Sequence, residues 1–144
     1  MTLFLDTNVV LAWLLDRQDT YSEEATTVFL AAEQKRVTLY VSAGSVYTVA
    51  YVLHKSGRRS LALRNDLQAF LSLVEVAPAD KQTFIAACWL GDMKDLEDAF
   101  QYQTALKQTG IDYFVTGNIR DFIANQHPEL PVLTPAEMVQ KLKA

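Results

Sequence analysis

The sequence predicts an α/β fold built on a parallel sheet with helices on both faces. Three observations carry this expectation. Short apolar runs rich in β-branched and aromatic residues alternate with longer stretches of helical spacing along the whole chain, the pattern of repeated strand–helix units. The first run, Leu3-Phe4-Leu5, stops abruptly at Asp6-Thr7-Asn8, and a strand that apolar belongs in the middle of a covered sheet. Acids also gather where elements meet, at Asp6, at Asp95, Glu97 and Asp98, and at Asp121. Open α/β sheets place their ligand crevice outside the carboxyl ends of the strands.

Taken in order, residues 2–6 read as a buried strand. Thr7 or Asn8 is suited to cap a helix to about Leu15, with Val9, Val10, Trp13 and Leu14 on its inner face. A second helix is expected from about Tyr21 to Gln34, where Glu23 and Glu24 complement the positive end of the helix dipole. Val37 to Val41 is the second strand, and Ser42 starts a helix that runs to about Lys55 and ends at Gly57. Leu61 to Leu73 is a further helix, followed by the short strand Val74-Glu75-Val76 and the stop Ala77-Pro78.

Asp80 is placed to cap the helix that contains Cys88 and Trp89, and Gly91-Asp92 breaks that helix. Asp95 to about Lys107 forms the next one, with Gly110 at the left-handed position beyond its end. Ile111 to Val115 is a strand, Asn118 to Asn125 a short helical turn, and Pro131-Val132-Leu133 the last strand. Pro135 opens the terminal helix at the position where a missing N–H costs nothing. Parallel pairing demands right-handed crossovers; it does not give the order of the strands.

A chain of 144 residues, 50% of them hydrophobic, is enough for one domain, residues 1–144, with its own core. The net charge of −4 excludes a broad basic coat for nucleic acid. It leaves room for a local groove, since phosphate contacts need only a few cations. The single cysteine, Cys88, excludes an intrachain disulfide, and its neighbours Phe84, Ile85, Trp89 and Leu90 read it as a buried structural thiol. His54 and His127 stand in no metal-ligand spacing. The first residues lack the basic region of a secretory leader and no segment is long and apolar enough to span a bilayer. A reduced, cytoplasmic setting without a membrane partner is the expectation.

Each acid taken alone is explained by helix capping: Asp6 beside Thr7, Asp95 at a cap with Asp98 three residues on, Asp121 in a first turn. Together they point further. Asp95 and Asp98 share a helix face, where like charges repel unless a cation relieves them. A hollow lined by carboxylates and free of Cys and His clusters suits a hard cation, Mg²⁺ or Mn²⁺. An ion held by two or three carboxylates can bind a phosphodiester, lower the pKa of a bound water and stabilise the leaving oxygen; two ions about 4 Å apart cover both oxygens. No protein nucleophile is then needed.

The segments Asp6-Thr7-Asn8, Asp95-Leu96-Glu97-Asp98-Ala99 and Val115-Thr116-Gly117-Asn118-Ile119-Arg120-Asp121-Phe122, in this order and across essentially the whole chain, resemble the PIN domain family. The resemblance implies a PIN-like three-layer α/β/α sandwich with a parallel sheet of about five strands. It implies a Mg²⁺/Mn²⁺-dependent endoribonuclease, the toxin half of a VapBC-type toxin–antitoxin pair, with RNA as substrate, an antitoxin as partner and a homodimer as assembly. By carry-over Asp6 is the first metal ligand, Asp98 the third family acid and Asp121 the acid after the fourth strand. Thr116 and Asn118 would orient a ligand or water, Thr7 and Asn8 would hold the first loop, and Arg120 faces a scissile phosphate or pairs with the acids.

Two positions depart from the family pattern. Thr48 stands where members carry a glutamate after Ser-x-x-Thr, here Ser42-Ala43-Gly44-Ser45, and a hydroxyl is a poor substitute for a carboxylate on a divalent ion. Asn118 replaces an acid, with Asp121 three residues later. Asp95 is the expected source of replacement charge. The first departure supports weak activity, or an alternative in which a weakened PIN module binds RNA or a partner protein without turnover. A small-molecule phosphohydrolase lacks support, because no Gly-rich phosphate loop follows a strand.

Elsewhere, His54-Lys55-Ser56-Gly57-Arg58-Arg59 with Arg64 is the most basic stretch. It serves either as a phosphate-binding rim or as charge complementing a helix C-terminus. Tyr47 and Tyr51, four apart, read as core packing rather than base stacking. Ala12-Trp13-Leu14-Leu15 with Phe29-Leu30 would form an antitoxin groove, although Trp13 reads more readily as ordinary core.

Overall fold

The computed structural model describes residues 1–16, 20–89, 93 and 95–144. Within them, five strands, β1 (Thr2–Leu5), β2 (Thr38–Ser42), β3 (Val74–Ala77), β4 (Tyr113–Val115) and β5 (Val132–Leu133), form one parallel sheet in the order β3-β2-β1-β4-β5. The helices are α1 (Thr7–Leu15), α2 (Ser22–Glu33), α3 (Ala43–Lys55), α4 (Ser60–Leu73), α5 (Lys81–Cys88), α6 (Leu96–Lys107), α7 (Arg120–Ile123) and α8 (Pro135–Lys143). The expected break at Gly91-Asp92 lies outside the described residues.

β1 takes the central place its apolarity predicts: Leu3, Phe4 and Leu5 are all 0% exposed. Side chains alternate across a strand, so each face of β1 feeds a different core. Leu3 and Leu5 pack with Val9, Phe29, Val49, Phe70 and Met138 from α1, α2, α3, α4 and α8. Phe4 packs on the opposite face with Ala87, Ala99, Tyr102, Phe114 and Phe122 from α5, α6, β4 and α7. Phe114 anchors this second core, stacked on Phe4 at 5.6 Å and touching the rings of Tyr102 and Phe122. Helices therefore cover both faces, giving the three-layer α/β/α sandwich.

The topology fixes where a ligand belongs. From β1 the chain moves to β2 and then β3 on one side, and afterwards to β4 and β5 on the other. The reversal leaves a crevice outside the sheet, at the carboxyl ends of the paired strands β1 and β4. Leu5 and Val115 are register partners there, and the Asp6 N–H donates to the Val115 carbonyl at 2.9 Å. Asp6 and Thr116 are thus the first residues beyond the sheet on either side of the switch point.

Several local expectations need correction. Cys88 is exposed. α5 is short and buries only Thr83 and Ala87, one turn apart, so Phe84, Ile85 and Cys88 are rotated toward solvent and Trp89 beyond the helix is exposed. Tyr47 and Tyr51 are 81% and 61% exposed rather than core. α3 buries Ser45, Val49 and Leu53, successive turns of one face, and the tyrosines lie on the other. The fourth strand begins at Tyr113, two residues later than Ile111. Trp13 stacks on Phe29 at 3.8 Å and packs, half-buried, at the edge of the first core. No helix among the described residues is long and apolar enough to cross a membrane.

Candidate functional site

Asp6 occupies the N-cap position of α1, in extended backbone, yet its side chain makes no capping bond. Thr7 and Asn8, expected as caps, lie inside the helix and look elsewhere. The carboxylate is instead turned into the crevice and held from three sides. Gln101 Nε2 donates to Oδ1 at 2.8 Å; Thr116 Oγ1 and Asn8 Nδ2 donate to Oδ2 at 2.8 and 3.1 Å. Burial raises the carboxyl above its ordinary range, and these hydrogen bonds oppose the rise.

Each of these partners is itself fixed. Thr116 Oγ1 accepts the Asn118 N–H at 3.0 Å, and Asn8 Oδ1 accepts the Gly117 N–H at 3.1 Å, tying the loop after β4 to the start of α1. Gly117 is required for another reason as well. A Cβ there would come within 2.0 Å of the Tyr21 ring. On the far side, Ser45 Oγ donates to Gln101 Oε1 at 3.2 Å and accepts from Thr7 and Ser42 hydroxyls at 2.6 and 3.1 Å. With that assignment every proton has one acceptor. Ser42 in turn caps α3 by accepting the Ser45 N–H.

α6 brings the remaining acids. Asp95 is its N-cap; one carboxylate oxygen accepts the Glu97 and Asp98 N–H groups at 2.9 and 3.3 Å. Asp98 is only 8% exposed, and its Oδ2 is buried without a hydrogen-bond partner. Its carboxyl is pushed up to about 8, first by burial, then by the negative charges of Asp6, Asp95 and Asp121, and by a contact with Asp121 that favours the protonated form. Asp121, held by the Asn118 side-chain amide, is therefore drawn into the same field. Glu97 is raised too, by burial and by Asp95 and Asp6. Arg120 lies exposed at the start of α7.

The structure thus brings together Asp6, Asp95, Asp98, Asp121, Asn8, Thr116 and Asn118, with Thr7 one step removed. Arg120 stands outside this network, on the adjacent surface. Roles for Gln101 and Ser45 were not read from the sequence, which marked Glu97 only as one of the gathered acids and Ser42 only as a helix start. Gln101 follows Asp98 by three residues and Glu97 by four, so helical spacing alone would have put it on the acidic face. The basic stretch is spent on the end of α3. Arg59 donates to the carbonyls of His54 and Arg58, and Arg58 pairs with Asp66 at 3.1 Å.

Among the described residues no three His, Cys, Asp or Glu side chains are close enough to enclose a metal ion. Mg²⁺ does not ask for such a cage. It commonly binds through one or two carboxylates and fills its remaining positions with water and phosphate oxygens. The donor set fits that mode. The orphaned Asp98 Oδ2 and the Asp6 carboxylate, which keeps unused lone pairs on Oδ1, are hard oxygen donors whose mutual repulsion a cation would relieve.

A PIN domain family model matches residues 2–120. The chain belongs to the PIN domain family. The match ends one residue before Asp121. Three solved structures show the same architecture. A chain of VapBC2 from Rickettsia felis, bound to a DNA fragment from their promoter, is 21% identical with a TM-score of 0.69, covering 93% of this chain and 98% of that one. A chain of VapBC-1 from nontypeable Haemophilus influenzae is 15% identical with a TM-score of 0.65, covering 94% and 99%. A chain of FitAB bound to an IR36 DNA fragment is 21% identical with a TM-score of 0.55, covering 92% and 94%. These likenesses establish the fold. No curated protein matches the chain.

Proposed function

We propose that this PIN domain is a Mg²⁺- or Mn²⁺-dependent endoribonuclease and the toxin component of a VapBC-type pair. The observation that carries this reading is the buried, unpartnered Asp98 oxygen facing the field of Asp6. Such an arrangement is costly unless a cation completes it. Asp6 and Asp98 would hold the ion, with Asp95 and Asp121 adding negative field. When bound, the ion supplies an acidified water and charge neutralisation at the phosphate.

The protein's own groups do the rest. Gln101, Thr116 and Asn8 lock the Asp6 carboxylate in one orientation, so little ordering is left to the moment of binding. Asp98, which burial and the neighbouring acids hold largely protonated near neutral pH, would have to be ionised to serve as a ligand. Asn118 and Thr116 fix the rim on which the substrate lies, and Arg120 is free of the acids' network and can meet an RNA phosphate.

An antitoxin would lie along α1 and α2, which carry the half-buried Trp13, stacked on Phe29, and Leu30, 48% exposed. A second copy would cover the aromatic surface of Tyr47 and Phe84, which border one cavity. The setting is cytoplasmic. The experiment is RNA cleavage with Mn²⁺, with EDTA, and with Asp6→Asn and Asp98→Asn. Loss of cleavage in the last three is expected; equal cleavage in all four ends the proposal. Thr48 favours a second reading, a module that binds RNA or a partner without turnover. RNA binding with no cleavage under any divalent metal would select it.

A further inference from the structure

We infer that Tyr21 is a positioning residue of the acid crevice: its ring, seated on Gly117, holds the loop after β4 against Asn8 and so sets the direction of the Asp6 carboxylate. The inference rests on the metal-dependent reading above and deepens it. The ring tip fills the space that a side chain at position 117 would take, and an added Cβ would collide with its Cζ and Oη. The backbone does not demand glycine there. Among the described residues the glycines with positive φ are Gly57 and Gly110. The demand comes from Tyr21. That residue is itself well anchored: it stands at the N-cap position of α2, its carbonyl accepts the Ala25 N–H at 2.9 Å, and it packs against the first core.

Two of the three side-chain hydrogen bonds on Asp6 depend on this loop. Thr116 Oγ1 donates directly to Oδ2 at 2.8 Å. Asn8 acts through Gly117. The Gly117 N–H donates to Asn8 Oδ1 at 3.1 Å, which leaves the other end of the amide, Nδ2, to donate to Asp6 Oδ2 at 3.1 Å. A side-chain amide has one acceptor end and one donor end, so the group that fixes Gly117 also fixes which end Asp6 meets. The hydrogen bonds hold the loop by its N–H groups, and Tyr21 bears on it from the Cα of Gly117. With the ring gone, the loop has room to recede from Asn8, and the donors on Asp6 lose their common support.

The test uses the full chain and two readouts: deuterium exchange of the Gly117 amide, followed by NMR in EDTA, and Mn²⁺ binding by calorimetry. Tyr21→Ala is expected to speed Gly117 exchange at least about tenfold. It should weaken Mn²⁺ binding about tenfold, the lower end of what a supporting partner of a metal ligand is worth. Tyr21→Phe keeps the ring and stays within about threefold of wild type in both. Leu142→Ala controls for stability alone, because Leu142 also packs against the first core; it melts lower and leaves both readouts unchanged. Gly117→Ala weakens Mn²⁺ more than Tyr21→Ala does. Adding Tyr21→Ala to it brings affinity back to the level of Tyr21→Ala, since the collision is gone and the backbone there accepts alanine. Tyr21→Ala that matches wild type or Leu142→Ala in both readouts overturns the inference. A folded double variant that binds no better than Gly117→Ala overturns it as well. Asp6→Asn is the reference for the parent reading. If it binds Mn²⁺ as wild type does, that reading falls, and the Gly117 exchange rate still decides Tyr21.

Discussion

Two helix starts in this protein use aspartate, and they differ in what they leave over. At α5, Asp80 accepts from the Thr83 N–H and hydroxyl, both at 3.0 Å, and pairs with Lys107 at 3.5 Å. Its carboxyl is lowered, chiefly by the Thr83 backbone bond. At α6, Asp95 performs the same capping with one oxygen, but Glu97 and Asp98 follow in the first turn and both are raised. A helix N-terminus gains from one well-placed acceptor and from nearby negative charge. Burial and Asp6 reverse that gain at α6. The acid at α5 is satisfied by its helix and by Lys107, whereas Asp98 at α6 keeps a buried oxygen without a hydrogen-bond partner.

The comparison breaks first at Asp6. Asp6→Asn keeps the shape and can still accept from Thr116, but removes the charge that the site is built around. Cleavage and Mn²⁺ binding are expected to fall by more than about 100-fold, since losing even a supporting partner of a metal ligand costs 10–100-fold. Retained Mn²⁺ affinity would mean that the ion is held elsewhere. Next comes Gln101→Leu, which frees Asp6 Oδ1 and leaves Ser45 without its acceptor. The expected loss is 10–100-fold in Mn²⁺ affinity and about 1–2 kcal/mol in stability from the unpaired buried groups, measured by calorimetry and urea melts. A Gln101→Leu protein with wild-type affinity would reduce Gln101 to packing.

Asp98 sharpens the contrast through pH. Its carboxyl titrates near 8 in the metal-free fold and near 3.8 when free. Between these values the folded chain keeps a proton that the unfolded chain has lost, so stability falls as pH rises across the window. Asp6 and Glu97, also raised, act in the same direction. Asp98→Asn should flatten this slope and melt higher than wild type in EDTA at neutral pH, by about 1–2 kcal/mol once solvent screening at the crevice mouth is allowed for. Saturating Mn²⁺ should reverse the ranking. Parallel melting-versus-pH curves for the two proteins would contradict the assignment.

Much of this fold was legible because its elements are locally consistent. Leu3-Phe4-Leu5 could only be a covered strand, Asp80 and Pro135 mark helix starts, and Gly110 has the positive φ, 87°, expected beyond a helix end. Asp6 and Asp121 could be named from sequence because they come after strands, and Asp95 and Asp98 because they open a helix. Helical spacing puts Gln101 on the acidic face, but its contact with Asp6 and the role of Ser45 arise from the approach of α3 and α6 across the ends of β1 and β2, a tertiary fact. Tyr47 and Cys88 misled for a related reason. Apolar spacing reports that a helix has a packed face, while the width and direction of that face depend on what lies beneath it.

The smallest effect belongs to the other helix start. Asp80→Ala removes the cap of α5, its bond to Thr83 and its ion pair with Lys107, none of which involves the site acids. A loss of a few degrees in Tm is expected, with Mn²⁺ affinity and RNA cleavage unchanged. The lowered carboxyl gives this loss a sign in pH opposite to that of Asp98. The stabilisation is present above the ordinary carboxylate range and disappears on acidification, so wild type and Asp80→Ala should converge at low pH. Convergence instead at high pH, or a drop in Mn²⁺ affinity, would mean that the two aspartate caps are coupled and that a capping residue cannot be told from a site residue by its hydrogen bonds alone.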